Sequence, residues 1–227
     1  MTVALGVMAK APVAGHCKTR LCPPLTPVQA AALHEALLRD TLDAVGALHG
    51  VTPVLFAAPE HRGVETLQAL FPSGNVVAQA GADLGARMEH ALGQLLHRAP
   101  VAMLIGADAP DAPLQDVVDA AAWVTADAAH RAVMGPSDDG GYWLIGLAAP
   151  QPALFRGIPW STATVAAATR LAAQAAGVDL LEVGVALDVD DLAALRALWK
   201  RPATASTRHT RALLEQPALR EIVGGVG

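Results

Sequence analysis

The chain has 227 residues, of which 53% are hydrophobic and 16% are charged, and its formal net charge is -5. This length suits one large domain with an apolar core, and no apolar run approaches the roughly 20 residues that a membrane-spanning helix needs. Mild acidity and the lack of a basic run argue against nucleic acid, so we expect neither a membrane protein nor a nucleic-acid-binding protein.

The cysteines and the N-terminal residues bear on the cellular compartment. Cys17 and Cys22 stand in one loop with no second pair, which supports neither a disulfide framework nor a zinc site. The first residues carry no basic segment ahead of their apolar stretch, which is too short for a signal peptide and predicts a first strand. We therefore expect a cytoplasmic protein.

Between residues 3 and 135, apolar runs of strand length alternate with stretches that repeat apolar residues at helical spacing. The predicted strands are 3–8, 51–57, 75–79, 101–105 and 132–135. The predicted helices are 26–49, 62–71, one from residue 83 onward, and 114–127. This alternation is typical of repeated βαβ units, so the sequence predicts an α/β fold with a mostly parallel sheet and helices on both faces.

The alternation breaks after residue 136. A strand is predicted at 143–147, followed by a helix that Trp160-Ser161-Thr162 caps and that ends at Gly177. The last predicted strand is 178–187, and a helix is predicted at 192–200. From residue 201 onward we expect a peripheral helix or an ordered tail.

The strand at 101–105 ends abruptly in glycine, acid and proline. Gly106 allows a sharp turn, and Pro110 delays the next helix, so Asp108 and Asp111 follow the carboxyl end of a buried strand. Open α/β sheets bind their ligands at this edge, and a carboxylate there is suited to holding a divalent cation against a phosphate. The alternative is that Asp108 only caps the following helix.

A second pair of acids follows the last predicted strand. Asp188 and Asp190 would end that strand as Asp108 ends the central one, so carboxylates from distant parts of the chain could meet on one Mg²⁺ or Mn²⁺ ion. Alternatively, Asp190 and Asp191 cap the helix that starts at Leu192. Both interpretations hold if Asp191 caps the helix and Asp190 binds the metal.

The loop after the first strand has the composition of a phosphate-binding loop. Gly15 lets the backbone approach a ligand closely, Lys10, Lys18 and Arg20 supply positive charge, and Thr19 stands between the last two. It is not a Walker loop, because Lys10 replaces the first glycine and two residues separate Gly15 from Lys18. The alternative is an exposed basic loop.

An acidic turn follows the strand at 132–135. Its sequence is Ser137-Asp138-Asp139-Gly140-Gly141, and it suits a catalytic base or an acid that binds the acceptor. A solvated turn explains Asp138 and Asp139 equally well.

A glycine-bearing turn opens the helix that starts near residue 83. Gly81, Asp83, Gly85 and Arg87 are suited to a flat nucleotide base resting on the backbone. A plain turn before a helix explains the same residues nearly as well.

Six segments occur in order within residues 3–198: MAKAPVAGHCKTRL, GADLGARM, GADAPDAP, GPSDDGGYWLIGL, IPWST and LDVDDL. Together they resemble the family of nucleotide-diphospho-sugar transferase fold proteins labelled glycosyltransferases or radical-SAM/selenodomain-associated transferases. The chain is similar, more distantly, to the guanylyltransferases that serve molybdenum cofactor and the deazaflavin coenzyme. The resemblance implies a GT-A fold with a nucleotide half at about 1–110, an acceptor half at about 111–200, and a peripheral segment at 201–227.

The resemblance also implies a role for each candidate residue. It assigns phosphate binding to Lys18 and Arg20, contact with the base to residues 81–87, metal binding to Asp108 and Asp190, and the acceptor side to Asp138 and Asp139. The chain departs from the usual pattern where Ala107 and Ala109 replace the common Thr and Ser, which removes hydroxyl groups that could orient Asp108.

The leading hypothesis is a metal-dependent transferase that moves a sugar from a nucleoside diphosphate-sugar to a small-molecule acceptor. The close alternative is nucleotidyl transfer from a nucleoside triphosphate to a phosphorylated acceptor, with release of pyrophosphate. The cations of the Lys18-Thr19-Arg20 segment favour this alternative, because a triphosphate carries more charge to neutralise. A third hypothesis, motivated by Ala107 and Ala109, is a nucleotide-binding protein without turnover.

Overall fold

The computed structural model of the protein describes residues 2–225 and has an α/β architecture. The strands are β1 (Val3–Ala9), β2 (Val51–Ala57), β3 (Val76–Ala78), β4 (Val101–Gly106), β5 (Arg131–Pro136), β6 (Tyr142–Leu147) and β7 (Asp179–Glu182). The helices are α1 (Pro27–Gly46), α2 (Gly63–Leu70), α3 (Leu84–Leu96), α4 (Gln115–Ala126), α5 (Val165–Ala175), α6 (Leu192–Lys200), α7 (Arg208–Leu214) and α8 (Pro217–Gly224).

The strands form one seven-stranded sheet in the order β3-β2-β1-β4-β6-β5-β7. The pairs of β1 with β2 and β4, of β2 with β3, and of β5 with β7 are parallel, whereas β6 runs antiparallel to both β4 and β5. The predicted mostly parallel sheet is therefore confirmed. Because the parallel strands share one direction, the loops that follow β1, β2, β3, β4 and β5 all emerge at one edge, which is the edge where such sheets bind ligands.

Helices cover both faces of the sheet, as predicted. On one face α1, α2 and α4 contribute apolar side chains such as Leu38, Leu67 and Val117 to a core that includes β1 and β4. On the other face α3 and α5 contribute side chains such as Leu92 and Ala173. A third apolar cluster joins α1 to α6, α7 and α8. Within residues 2–225, no helix is both long enough and apolar enough to cross a membrane.

Two helix starts follow their predicted caps. Thr26 accepts a hydrogen bond from the Gln29 amide, and the Gln29 side chain accepts from the Thr26 amide, which completes a capping box at α1. Asp191 accepts from the Ala194 amide at 2.8 Å and caps α6. Asp191 therefore has the predicted capping role, and Asp190 is left for other contacts.

The last strand is shorter than predicted. β7 ends at Glu182, after which the Val183 amide still donates to the Met134 carbonyl and an isolated bridge joins Ser137 to Ala186. The reason is that both backbone groups of Gly184 bond to side chains instead of to a neighbouring strand: its amide donates to Asp116 Oδ2, and its carbonyl accepts from Trp143 Nε1. Residues 183–187 therefore form an irregular segment, and the prediction of a strand to residue 187 was wrong.

The predicted cap of α5 was also wrong. The helix begins at Val165, and the preceding Thr164 makes no side-chain capping bond. Thr162 instead donates its hydroxyl hydrogen to the Pro159 carbonyl at 2.7 Å, which closes a separate turn. This local bond keeps Thr162 outside the helix.

Candidate functional site

The site forms where the irregular segment after β7 runs beside the loop after β4. The Val189 amide donates to the Asp108 carbonyl at 2.9 Å, and the Asp188 amide donates to Asp138 Oδ1 at 3.0 Å. The first bond, between two backbones, holds Asp188 and Asp190 next to Asp108, which is 80 or more positions away in the chain. The second, from a backbone amide to a side chain, joins Asp188 to Asp138.

Three carboxylates come together here, and we name Asp108, Asp188 and Asp190 the acidic trio. One oxygen from each lies within 4.8 Å of the others. Asp188 Oδ1 is buried and has no hydrogen-bond partner among residues 2–225. Burial first, and then the charges of Asp108 and Asp190, raise the pKa of Asp188 to about 7, against the opposing effect of Lys18. The trio thus holds more negative charge than its protein surroundings neutralise.

Lys18 lies against the trio rather than in an open phosphate loop. Its Nζ is 2.7 Å from Asp108 Oδ1 and 3.1 Å from Asp190 Oδ1, and its side chain is only 2% exposed. Its backbone is left-handed, with φ at 48°, just before a single 3-10 turn at Thr19–Leu21. Burial alone would lower the pKa of Lys18, but Asp108 and Asp190 raise it, so the ammonium stays charged.

Arg20 contacts the trio from the solvent side. One of its terminal nitrogens is 3.3 Å from Asp190 Oδ2, and the side chain is 71% exposed. The structure therefore brings the two predicted phosphate-binding cations, Lys18 and Arg20, against the predicted metal ligands Asp108 and Asp190. Gly15 and Thr19, predicted for the same loop, are exposed, and neither contacts the trio through a hydrogen bond within residues 2–225.

His34 is a member of the site that the sequence analysis missed. It is buried on α1, with Nε2 3.1 Å from the Lys10 carbonyl and Nδ1 3.6 Å from Asp108 Oδ1. A carbonyl only accepts, so Nε2 donates to Lys10, and Nδ1 favours the Asp108 carboxylate when it also carries a hydrogen. Its signal in the sequence is a polar residue between Leu33 and Leu37 on the buried side of α1.

His34 and Lys18 together keep Asp108 ionised. Burial by itself would raise the pKa of Asp108, but the Lys18 ammonium and the His34 ring hold that pKa well below its usual range. His34 also joins the loop after β1 to the loop after β4, because its two nitrogens face one loop each.

The trio fits a hard divalent cation. Carboxylate oxygens are the ligands that Mg²⁺ and Mn²⁺ prefer in proteins, and the unpartnered Asp188 Oδ1 is the kind of buried polar atom that calls for a ligand. The raised pKa of Asp188 follows first from this burial and then from the negative charges of Asp108 and Asp190.

The acidic turn at residues 137–141 uses its carboxylates to shape the chain. Asp139 Oδ1 accepts from the Ser137 hydroxyl at 2.6 Å and from the Gly141 amide at 2.9 Å. Asp138 Oδ1 accepts from the Asp188 amide. Gly140 has φ at 89°, and a Cβ there would lie 2.0 Å from the Ala163 carbonyl oxygen, so only glycine fits. Asp138 is thus joined to the trio, and Asp139 is satisfied within its own turn.

The turn at residues 81–87 lies at the start of α3. Asp83 accepts from the Ala86 amide at 2.8 Å and caps the helix. Arg87 donates to the Gly81 carbonyl and to Glu60 Oε1, the latter at 2.9 Å. Gly85 packs against the other half of the molecule, since a Cβ there would lie 2.6 Å from Trp160 Nε1. Asp83 therefore caps α3, Gly85 packs against Trp160, and Arg87 bonds to Glu60, which lines a cleft.

That cleft lies between the loops after β1 and β2. It has a volume of about 250 Å³ and is lined by Lys10, Ala11, His16, Ala58, Glu60 and His61. The rings of His16 and His61 stand 3.8 Å apart across it. Of the predicted residues Lys10 lines this cleft, whereas the histidines and Glu60 were missed because their spacing matches no motif.

The C-terminal segment supports the loop that carries Asp108. Asp111 Oδ2 accepts from the Arg201 guanidinium, just after the end of α6. Arg211, on α7, donates to the Leu198, Trp199 and Arg201 carbonyls at the end of that helix. Asp40 of α1 in turn accepts from two amides at the start of α7.

Comparison with solved structures identifies relatives of the fold. A protein from Desulfovibrio desulfuricans G20, described as a "putative nucleotide-diphospho-sugar transferase", is 29% identical, with a TM-score of 0.87 over 98% of this chain and 99% of that chain. CMP:2-keto-3-deoxy-manno-octonic acid synthetase, complexed with CTP, is 12% identical, with a TM-score of 0.56 over 87% and 97%. Glucosyl-3-phosphoglycerate synthase from Mycobacterium tuberculosis, in complex with Mg²⁺ and uridine-diphosphate, is 11% identical, with a TM-score of 0.51 over 100% and 80%.

The first similarity covers nearly the whole of both chains, and the other two show that the fold is the one shared by nucleotidyltransferases and nucleotide-sugar transferases. A comparison with curated protein sequences finds no match. Residues 41–162, more than half of the chain, match the family model described as "Uncharacterized protein conserved in bacteria (DUF2064)". The chain, with its nucleotide-diphospho-sugar transferase fold, therefore belongs to the DUF2064 family.

Proposed function

We propose that this protein is a metal-dependent transferase that binds a nucleoside diphosphate-sugar and moves the sugar to a small-molecule acceptor. The observation that carries the proposal is the acidic trio at the ligand-binding edge of the sheet, with Lys18 and Arg20 against it. A site that mixes hard anionic oxygens with cations suits a metal-bound diphosphate better than it suits either ion alone.

Asp108, Asp188 and Asp190 are the residues that would hold Mg²⁺ or Mn²⁺. When bound, the ion supplies positive charge to the diphosphate group of the donor. Magnesium is octahedral, so one oxygen from each of three carboxylates would leave positions for water and phosphate oxygens, and hence room for the donor.

The cations of the chain would act on the departing group. Glycosyl transfer breaks the bond between the anomeric carbon and a diphosphate oxygen, and negative charge develops on the nucleoside diphosphate that leaves. Arg20 is exposed beside Asp190, where its guanidinium would pair with that phosphate through two parallel hydrogen bonds. Lys18 would supply a second positive charge.

The nucleotide and the acceptor would lie on opposite sides of the trio. We place the base in the cleft lined by Lys10 and Glu60, with the turn at residues 81–87 behind it. Asp138 is exposed and bonded to the Asp188 backbone, so it is our candidate for contact with the acceptor hydroxyl, and Asp139 orders its turn. This arrangement corresponds to a nucleotide half at about 1–110 and an acceptor half at about 111–200.

One observation favours a second candidate, nucleotidyl transfer from a nucleoside triphosphate. Lys10, Lys18 and Arg20 all belong to the single loop after β1, and a triphosphate has more charge for them to neutralise than a diphosphate. In this case an acceptor phosphate attacks the α-phosphorus, and the bond to pyrophosphate breaks.

A thermal-shift panel tests both candidates. Nucleoside di- and triphosphates and common nucleotide sugars are offered with and without Mn²⁺. Selective binding to the folded protein raises the free energy of unfolding by about 2.7 kcal/mol at a hundredfold excess over the dissociation constant, and the melting temperature rises with it. We expect a Mn²⁺-dependent rise with one nucleotide sugar and with its nucleoside diphosphate. A rise confined to one triphosphate would favour nucleotidyl transfer.

Product analysis then separates the chemistries. The best ligand is incubated with a small-molecule cell extract, and the released group is measured. A nucleoside diphosphate supports glycosyl transfer, and pyrophosphate supports nucleotidyl transfer. Tight binding with neither product contradicts both candidates and leaves a nucleotide-binding protein without turnover.

A further inference from the structure

In the proposed site, the Lys18 ammonium and a divalent cation would compete for the same carboxylates. Its ammonium contacts two of the three members of the acidic trio, Asp108 at 2.7 Å and Asp190 at 3.1 Å. A bound divalent ion would use these same carboxylates, and like charges a few ångströms apart repel strongly in a partly buried site. The contacts that Lys18 makes are therefore incompatible with a full set of metal contacts.

The trio nevertheless needs more positive charge than Lys18 supplies. The Lys18 ammonium contacts two of the three carboxylates, and in the part of the chain that the structure describes Asp188 Oδ1 remains buried without a partner. Arg20 adds charge only at the solvent side of Asp190, where water screens it. A divalent cation would neutralise the trio better than the ammonium does, which gives an exchange a driving force.

The lysine side chain is also able to exchange one anionic partner for another. The lysine ammonium is a compact point charge on a flexible four-carbon stem with three rotatable donors, so it needs no fixed geometry on its partner. The stem starts from a residue between the exposed Gly15 and Thr19, at the edge where phosphates would arrive.

We propose that Lys18 is an internal counter-ion of the acidic trio, which a divalent cation displaces and which then pairs with the phosphates of the nucleotide. This inference rests on the proposed metal site. It makes binding ordered, because the phosphates gain the Lys18 ammonium only after the cation has taken its place. It also prevents the trio from standing as an unpaired buried charge while no substrate is present.

Calorimetric titration of Mn²⁺ into the protein without nucleotide tests the exchange. Lys18→Met removes the competing ammonium and keeps the length of the stem. Arg20→Met is the matched control. It also removes one positive charge beside Asp190, but it leaves the Lys18 ammonium in place. We expect Lys18→Met to bind Mn²⁺ about tenfold or more tightly than the wild type, and Arg20→Met to stay within about threefold of it.

A second titration follows the phosphate step. With Mn²⁺ saturating, a nucleoside diphosphate should bind Lys18→Met about tenfold more weakly than the wild type, since a charge-assisted contact is lost. Tighter Mn²⁺ binding together with weaker diphosphate binding is the signature of the exchange. If Lys18→Met binds the diphosphate as the wild type does, the second half of the proposal is overturned.

The remaining outcomes separate this proposal from the proposed function. If the wild type binds Mn²⁺ and Lys18→Met binds it equally or more weakly, the exchange is overturned and the metal site stands. If both variants tighten Mn²⁺ binding equally, general charge rather than occupancy is responsible, and the exchange is again overturned. If neither the wild type nor Lys18→Met binds Mn²⁺, the metal site itself fails.

Lys18→Gln, titrated in parallel by melting temperature, gives a readout that does not depend on how well Lys18→Met folds without a cation. The exchange predicts a steeper rise with Mn²⁺ concentration in Lys18→Gln than in the wild type, because the cation then supplies charge that the chain lacks. A rise no steeper than that of the wild type overturns it.

Discussion

Two groups of acids lie at the same edge of the sheet and behave differently. In the acidic turn, Asp139 Oδ1 accepts hydrogen bonds from the Ser137 hydroxyl and the Gly141 amide. In the acidic trio, Asp188 Oδ1 is buried and finds no hydrogen-bond partner within the described residues. In the sequence, both groups are predicted as acidic residues that follow the end of a strand. The comparison shows that local donors, rather than position in the sheet, separate an acid that builds a turn from one that is available to a ligand.

The largest expected effect is on Mn²⁺ binding when one carboxylate of the acidic trio loses its charge, and the same change in the acidic turn is its control. Asp108→Asn should weaken Mn²⁺ binding by about a hundredfold or more, because it removes a charged ligand next to Asp188 and Asp190. Asp139→Asn should change Mn²⁺ binding by less than about threefold, because its charge already serves its own turn. Calorimetric titration measures both affinities, and similar losses of Mn²⁺ affinity in the two variants would contradict the distinction between the acidic trio and the acidic turn.

A smaller effect is expected at His34, which links the trio to the loop after β1. His34→Ala should weaken Mn²⁺-dependent nucleotide binding by about tenfold, the size typical of a residue that orients a ligand from behind. His34→Gln keeps an amide donor for the Lys10 carbonyl and should recover part of this loss. Titration below the melting temperature measures the effect. Equal losses in both variants would show that the bond to Lys10 is not what positions the site.

The acidic turn should respond in stability instead. Asp139→Ala removes the acceptor of the Ser137 hydroxyl and the Gly141 amide, and because the turn is largely exposed we expect a loss of about 0.5 to 1.5 kcal/mol in the free energy of unfolding. For a chain of this size that loss corresponds to a fall of roughly 2–4 °C in melting temperature for each kcal/mol. Denaturant unfolding with chelator present checks it, and unchanged stability would refute the structural role of the turn.

The smallest effect concerns pH. In the folded protein the pKa of Asp188 is raised to about 7 by burial and by its acidic neighbours. The folded state therefore holds a proton that the unfolded chain releases near pH 4, and this group's contribution to the free energy of unfolding falls as pH rises from about 4 to about 7. Asp188→Asn lacks this fall.

In chelator, Asp188→Asn should thus gain stability relative to the wild type between pH 5 and pH 8. Asp108 does not mask the trend, because its lowered pKa gives a contribution that is already complete above about pH 5. Melting curves across this range provide the measurement, and parallel curves for the two proteins would argue against a charge excess at the trio.

Much of the fold could be predicted because its signals are local. Continuous apolar runs predict β1 and β4 as strands buried on both faces, and Thr26 and Asp191 predict helix starts through caps that depend on neighbours three residues away. The end of β7 could not be predicted, because it depends on Gly184 bonds to Asp116 and Trp143, which are far away in the sequence.

The site residues likewise divide into those that local sequence indicates and those that depend on contacts far apart in the chain. Asp108, Asp190 and Lys18 could be selected from residue type and from their place after strands. That Lys18 pairs with the acids could not, because 172 residues separate it from Asp190. His34 was missed because eight scattered histidines show no metal spacing, and its buried position on α1 becomes informative only once the neighbouring loops are in place.

The bond between Asp111 and Arg201 has a practical consequence for anyone who shortens this protein. Residue 200 looks like a natural place to trim, since only peripheral helices follow it. Trimming there would take away the guanidinium that anchors Asp111 and the Arg211 donors at the end of α6. A shortened protein should therefore lose its response to nucleotide through a loosened Asp108 loop, with every proposed ligand residue still present.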